Sequence, residues 1–204
     1  MGSYNLALTK LVSSLLESGI SQNDIYTFVG GSEDTKKVIW DYDINYYLVD
    51  HNSFDMTALI GISNLDVDYD YAFLLHDTTW VGSNFMELIL NVAKSNIDSN
   101  NNIMLSKHGA NMNIGMYSKN FIDLNRNEIN TKYKNKPKSF YVETEDKLIK
   151  SSKSPICLNP TKFELIQPYD VYNTKTQRRV EYYSDIELYK AKANWTRGNY
   201  VNTL

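Results

Sequence analysis

The stretch Tyr69-Asp-Tyr-Ala-Phe-Leu-Leu-His-Asp-Thr-Thr-Trp80 decides how this chain is read. Tyr71 to Leu75 is a continuous apolar run of strand length, the pattern of a central strand buried on both faces. It stops abruptly at His76, Asp77, Thr78 and Thr79. Ligands of open α/β sheets gather at the carboxyl ends of strands, so a carboxylate here has two readings. It can hold a divalent cation, with hydroxyls or waters completing the oxygen shell. It can equally cap the turn that follows.

Upstream, Leu8, Leu11, Val12, Leu15 and Leu16 recur at helical spacing, and Gly19 follows as a stop. Ile25 to Val29 is rich in strand formers and runs into the Gly30-Gly31-Ser32 turn. Val38-Ile39-Trp40 suits a short turn or strand, and Ile44 to Val49 a second strand. Ser53 is placed to cap a helix carrying Met56, Leu59, Ile60 and Ile62. Downstream, Ser83 is placed to cap another, with Phe85, Leu88, Ile89 and Val92 on its inner side. The order helix, strand, strand, helix, strand, helix predicts an α/β fold: a mainly parallel central sheet with helices on both faces.

The second half is less regular. Residues 95–102 are polar and Asn-rich and predict a surface turn. Ile103 to Leu105 and Met112 to Tyr117 read as strands, and Ser118 to Leu124 as a short helix. Asn125 to Lys138 is charged and poor in apolar periodicity, so a loop is predicted there. Arg178 to Trp195 mixes aromatic and basic residues and predicts a C-terminal element folded back over the site.

Composition narrows the function classes. A chain of 204 residues with 42% hydrophobic and 22% charged side chains suits one globular domain with its own core. The net charge of -3 offers no broad basic face for nucleic acid. Cys157 is the single cysteine, which excludes an internal disulfide, and no Cys/His spacing resembles a zinc site. It reads as a small filler residue between Pro155 and Pro160. No apolar run approaches the roughly 20 residues that span a bilayer, and no signal peptide is visible. A soluble, cytoplasmic protein without a membrane span is expected. His51 and His108 read as hydrogen-bonding residues; no nucleophile–base pair for serine or cysteine chemistry is legible.

With these segments in order, the chain resembles the GT-A glycosyltransferases, which place an Asp-x-Asp signature after an apolar strand. Neither Leu75-His-Asp77 nor Asp77-Thr-Thr79 holds two acids, so the resemblance carries Asp77 alone as metal ligand, with His76 and Thr79 as helpers. Asn5 to Ser32 looks like the family's opening helix, strand and Gly-Ser turn. Phe28-Val-Gly-Gly-Ser-Glu-Asp34 is similar to the Val-Asp-Asp-Gly-Ser turn, with glycines standing where the acids usually meet the nucleoside. The resemblance implies one domain over 1–204, residues 1–95 forming the nucleotide-binding half and 96–204 the acceptor and lid half.

Further site residues follow from the same resemblance. Asp55 falls where the nucleotide pocket is lined, and otherwise reads as an acid at a helix N-terminus, favoured by the dipole. Gly115 falls where donor sugar and acceptor meet; it permits close backbone approach or forms a β-bulge. Glu143-Thr-Glu-Asp146 resembles the pair that supplies the base of inverting members, with Asp146 preferred and Glu145 in reserve, unless it simply opens a helix. Apart from the resemblance, Arg178, Arg179 and Lys190 beside an aromatic run read as cations for a departing diphosphate or as ordinary surface charges, and Trp80, next to the Asp77 loop, as a stacking surface for sugar or base or as packing.

The implied activity is transfer of a sugar from a nucleotide-sugar donor, UDP-linked by preference, to a hydroxyl of a glycan or glycoprotein. Inversion is expected, with help from Mn²⁺ or Mg²⁺. The alternative is a GT-A-like nucleotide-sugar-binding module without catalysis, suggested by Gly30, Gly31 and the missing second acid beside Asp77. A nucleotidyltransferase would want a Gly-rich phosphate loop with a basic residue at the first strand, which the chain lacks.

Overall fold

Pairing and packing divide this protein, described here by a computed structural model, into two units that interleave along the chain. The structure describes residues 2–95, 102–105, 113–144, 146–151, 156–166 and 178–191. Met1–Ile20, His76–Val92 and Asn159–Leu204 form the first unit; Ser21–Leu75 and Ala93–Leu158 form the second. Each therefore draws on both halves of the sequence.

The described elements of the first half are α1 (Gly2–Glu17), β1 (Tyr26–Gly30), β2 (Lys36–Val38), β3 (Asn45–Val49), α2 (Thr57–Ser63), β4 (Tyr71–Leu74), β5 (Thr79–Val81) and α3 (Phe85–Lys94). Then come β6 (Ile103–Leu105), β7 (Gly115–Ser118), α4 (Lys119–Lys132), α5 (Lys138–Thr144), α6 (Lys147–Lys150), β8 (Ile156–Leu158), β9 (Lys162–Ile166), β10 (Arg178–Tyr183) and β11 (Leu188–Ala191).

In the first unit, α1 forms where the leucine spacing predicts it, with Leu11, Val12 and Leu15 buried. Gly19 lies beyond its end at a φ of 91°, a backbone state that costs glycine little. The sheet has the order β5-β11-β10-β9 and is antiparallel throughout. Ala7 of α1 packs on Val180 and Ala191 of that sheet. The Val81 amide donates to Ser14 Oγ at 3.1 Å, a direct tie between helix and strand. The turn that opens α3 is held from afar: Glu187 accepts from the Asn84 amide at 3.0 Å and from its side chain at 2.9 Å.

The second unit holds two small sheets. In the order β1-β3-β2, β1 and β3 are parallel and β2 is antiparallel. In the order β4-β7-β6-β8, β7 is antiparallel to both neighbours, whereas β6 and β8 are parallel. Met56, Leu59, Ile60, Met104, Tyr117, Ile122 and Ile149 belong to one buried cluster, and Cys157 packs against it as a partly buried filler.

The chain is thus mixed α/β, but two parts of the expectation need correction. Among the described residues there is no large, mainly parallel sheet, because β7 returns antiparallel between β4 and β6. Nor is β4 central among the described strands: it stands at one end of the order of its sheet, and Tyr71, Ala72 and Phe73 are only half-buried. The loop predicted over Asn125–Lys138 is mostly helix. α4 runs to Lys132, with Ser118 Oγ accepting from the Phe121 amide at its start. Its buried face needs only Ile122 and Ile129, seven residues apart. Its exposed face is laced by Lys119–Asp123, Arg126–Asp123 and Lys132–Glu128 pairs. Among the described residues, no helix is long and apolar enough to cross a membrane.

Candidate functional site

Asp77 sits at the second position of a tight turn in the first unit. The Thr79 amide donates to His76 O at 3.0 Å, and the Thr79 hydroxyl donates to the same oxygen at 2.6 Å. Asp77 and His76 are half-buried, while Thr78 and Thr79 are buried. The turn is closed by its own backbone and by Thr79, which gives that hydroxyl a structural role. β5 begins at Thr79, and antiparallel register sets Lys190 of β11 opposite it. The Ala191 amide donates to Thr78 O at 2.9 Å and fastens β11 to the loop.

The sheet sorts its side chains by face. One face stacks Tyr182 on Tyr189 (4.5 Å between centroids) and Tyr189 on Trp80 (5.3 Å), with the Lys10 ammonium 3.9 Å from the Trp80 ring centre. Trp80 therefore has aromatic and cationic company from its own unit. The alternating positions carry a polar row, since Lys190 pairs with Thr79 on one side and Glu181 on the other. Lys190 and Thr79 are fully buried and Glu181 nearly so. Glu181 accepts from the Tyr183 hydroxyl at 3.1 Å and lies 3.6 Å from Arg179. Arg178 opens β10 opposite Ile166.

The remaining predicted residues lie in the second unit. Asp55 is half-buried in the 3-10 turn Phe54–Met56 that leads into α2. Ser53 makes no side-chain cap there. Its hydroxyl instead accepts from the Asn135 amide at 3.0 Å and bonds His51 Nδ1 at 3.0 Å. Burial, and then the charge of Lys134, holds the His51 pKa below its ordinary 6.5. Beside it, the hydrogen bond from Thr35 holds the Asp50 carboxyl below its usual value.

Gly115 is buried in β7, and a Cβ there would stand 2.2 Å from the Ile103 carbonyl. Its missing side chain lets β6 and β7 approach. Asp146 precedes α6 in the left-handed region, φ 59°, as does Asn113, also φ 59°. The two clasp each other: the Asn113 amide donates to Asp146 Oδ1 at 3.1 Å, and the Asp146 amide donates to Asn113 Oδ1 at 3.2 Å. Lys150 Nζ is 3.8 Å from Asp146 Oδ2. The Tyr117 hydroxyl donates to Asn113 O at 2.7 Å, and burial pushes its pKa well above 10. Glu145 and His108 lie outside the described residues.

Glu181 and Asn113 were not foreseen. Glu181 carried a faint signal, an acid alternating with apolar positions in an aromatic strand. Asn113 carried a better one, since asparagine two residues before a strand glycine suits the left-handed region. Among the described residues, no group of three or more His, Cys, Asp or Glu is placed to hold a metal ion. Comparison of the chain with protein-family models, curated proteins and solved structures finds no match to any of them.

Proposed function

We propose that this protein is a nucleotide-sugar-dependent glycosyltransferase of GT-A type that binds the donor diphosphate at the His76–Thr79 turn. The observation that carries the reading is the register of β5 and β11, which sets the buried Lys190 opposite Thr79, two residues from Asp77. A carboxylate in the turn and an ammonium on the facing strand suit a diphosphate, because the cation stabilises charge as the leaving group departs. One protein carboxylate also suits Mg²⁺ or Mn²⁺, which take much of their shell from phosphates and water. Asp77 would hold the ion, and bound there it would supply charge neutralisation at the diphosphate.

In the transfer, an acceptor hydroxyl loses its proton to a base and its oxygen bonds to the anomeric carbon. The carbon–oxygen bond to the diphosphate breaks with inversion, releasing the nucleoside diphosphate. Asp146 is assigned as base on the sequence resemblance, with Glu145 in reserve. Titration calorimetry with a panel of UDP-sugars, with and without Mn²⁺, tests the donor site. Asp77→Asn is expected to weaken Mn²⁺-dependent binding at least about tenfold and to abolish transfer. Full turnover in that variant overturns the reading. A second reading, a nucleotide-sugar-binding module without catalysis, is favoured by Gly30 and Gly31 standing where acids would meet the nucleoside and by the missing second acid beside Asp77; binding without transfer or hydrolysis selects it.

A further inference from the structure

Between Glu128 and Glu143 the chain holds four lysines and no acid, and all four fall in Lys132-Tyr-Lys-Asn-Lys-Pro-Lys138. This run makes the turn from α4 into α5, within the second unit.

Alternate positions anchor the turn. Tyr133 is buried, and its carbonyl accepts from the Tyr141 hydroxyl. The Asn135 amide donates to Ser53 Oγ at 3.0 Å, and the Asn135 side chain accepts from the Asn52 amide at 3.1 Å. The Tyr141 hydroxyl also accepts from the Lys136 amide at 3.0 Å. Held in this way, the turn leaves Lys132 and Lys138 exposed and Lys134 and Lys136 half-exposed. Surface acids meet two of them: Glu128 lies 2.7 Å from Lys132, and Asp50 lies 3.4 Å from Lys134. Such exposed pairs hold weakly and exchange readily for another anion.

Two apolar side chains stand out beside the lysines. Phe54 is 43% exposed and Val142 is 64% exposed. Phe54 packs on Tyr141, 5.4 Å between ring centres, and Val142 follows Tyr141 in α5. The residue that ties down the lysine turn therefore also carries the apolar pair. Phe54 keeps a left-handed φ of 44°, a costly state for a residue with a Cβ. Backbone strain of this kind gathers where a side chain is held for a task.

A cationic cluster beside projecting apolar groups fits a surface with an anionic skin and an apolar interior. Nucleic acid fits less well, because the run holds no arginine for bidentate phosphate contact and Val142 cannot stack on a base. We infer that the 132–138 turn, with Phe54 and Val142, docks this protein on membranes rich in anionic phospholipid. The lysines meet the headgroups, and the two apolar side chains enter the interface. The exposed Glu143 stays at the rim, where like charge repels it. Docking of this kind needs neither a spanning helix nor catalysis.

The test uses the full chain and vesicles of phosphatidylcholine, alone or with about 30% phosphatidylserine, at about 0.1 M salt. Sedimentation should show binding to the mixed vesicles at least about tenfold tighter than to phosphatidylcholine alone. Lys136→Glu with Lys138→Glu should remove most of that difference, and Val142→Asp should weaken binding several-fold. A solvent-sensitive fluorophore on Val142→Cys, in a Cys157→Ser background, should shift to the blue on the mixed vesicles. The label reports docking with every lysine in place, so it decides the matter even if a lysine variant fails to fold. Equal binding to both vesicle types, no pelleting, full binding by the folded double lysine variant, or an unshifted label overturns the inference. A single-stranded oligonucleotide that binds more tightly than the vesicles, and through the same lysines, assigns the turn to nucleic acid and also overturns it.

Discussion

The two units solve the burial of polar groups differently. In the first, the charged Glu181 and Lys190 are buried at facing positions of an antiparallel sheet, with the half-buried Arg179 beside Glu181 and the Tyr183 hydroxyl supporting the carboxylate. In the second, the buried polar residues mainly hold backbone: Asn113 and Asp146 clasp each other's amides, and Tyr117 seals the Asn113 carbonyl. A buried charge set depends on every member, since removing one leaves the others desolvated without compensation. A backbone clasp tolerates any residue that keeps the acceptor and the conformation. Single substitutions should therefore separate the regions.

The largest effect is expected at Glu181. Glu181→Ala removes the carboxylate that accepts from the Tyr183 hydroxyl and pairs with Arg179, and should cost about 4 kcal/mol in denaturant unfolding. A loss below 1 kcal/mol would mean the charges of the first unit are solvated and the contrast false. Gly115→Ala comes next, at about 3 kcal/mol, because its Cβ would meet the Ile103 carbonyl, backbone that cannot swing aside. Gly82, whose Cβ would first meet the Glu187 side chain rather than backbone, is the milder control in the first unit.

Asp146 sharpens the comparison further. Asp146→Ala should cost about 2 kcal/mol by orphaning the buried Asn113 amide. Asp146→Asn keeps an acceptor and tolerates the left-handed backbone, so it should fold with nearly full stability. If the assigned base is correct, both variants lose transfer and Asp146→Asn still binds donor. Unchanged turnover in Asp146→Asn removes that assignment.

The smallest effect is pH-dependent. His51 has a folded pKa below 6.5, so the unfolded chain takes up the proton first. Its contribution is complete above pH 6.5 and is lost as pH falls through the folded value. Melting temperatures between pH 7.5 and 5 should decline more steeply in the parent than in His51→Gln, and identical slopes would rule His51 out as a contributor.

Local elements were readable where a single face decides them. α1, β1, β3 and the apolar run of β4 fall where spacing and composition put them. Of α4 only the start, Ser118 to Leu124, was read as helix; the stretch from Asn125 on was read as a loop because Ile129 is its one buried apolar position, too few to register as a period. Pairing direction was not legible at all. Nothing in Gly115 to Ser118 announces that β7 runs backward between β4 and β6, since the direction of a short strand is set by its connections. Asp77, Thr79 and Lys190 were legible as residue types suited to phosphate, but the register joining two of them was not. Gly115 was noticed for its lack of a side chain, and what it admits is a neighbouring strand.

The interleaving of the two units has a practical side. The backbone crosses from one to the other four times, after residues 20, 75, 92 and 158. No single scission frees either as a continuous polypeptide, so expressing a front or back fragment yields neither. A nick within the 93–158 stretch would leave all four crossings covalent, three in the front fragment and one in the back. Complementation between separately made fragments, rather than truncation, is the genetic route to taking this molecule apart.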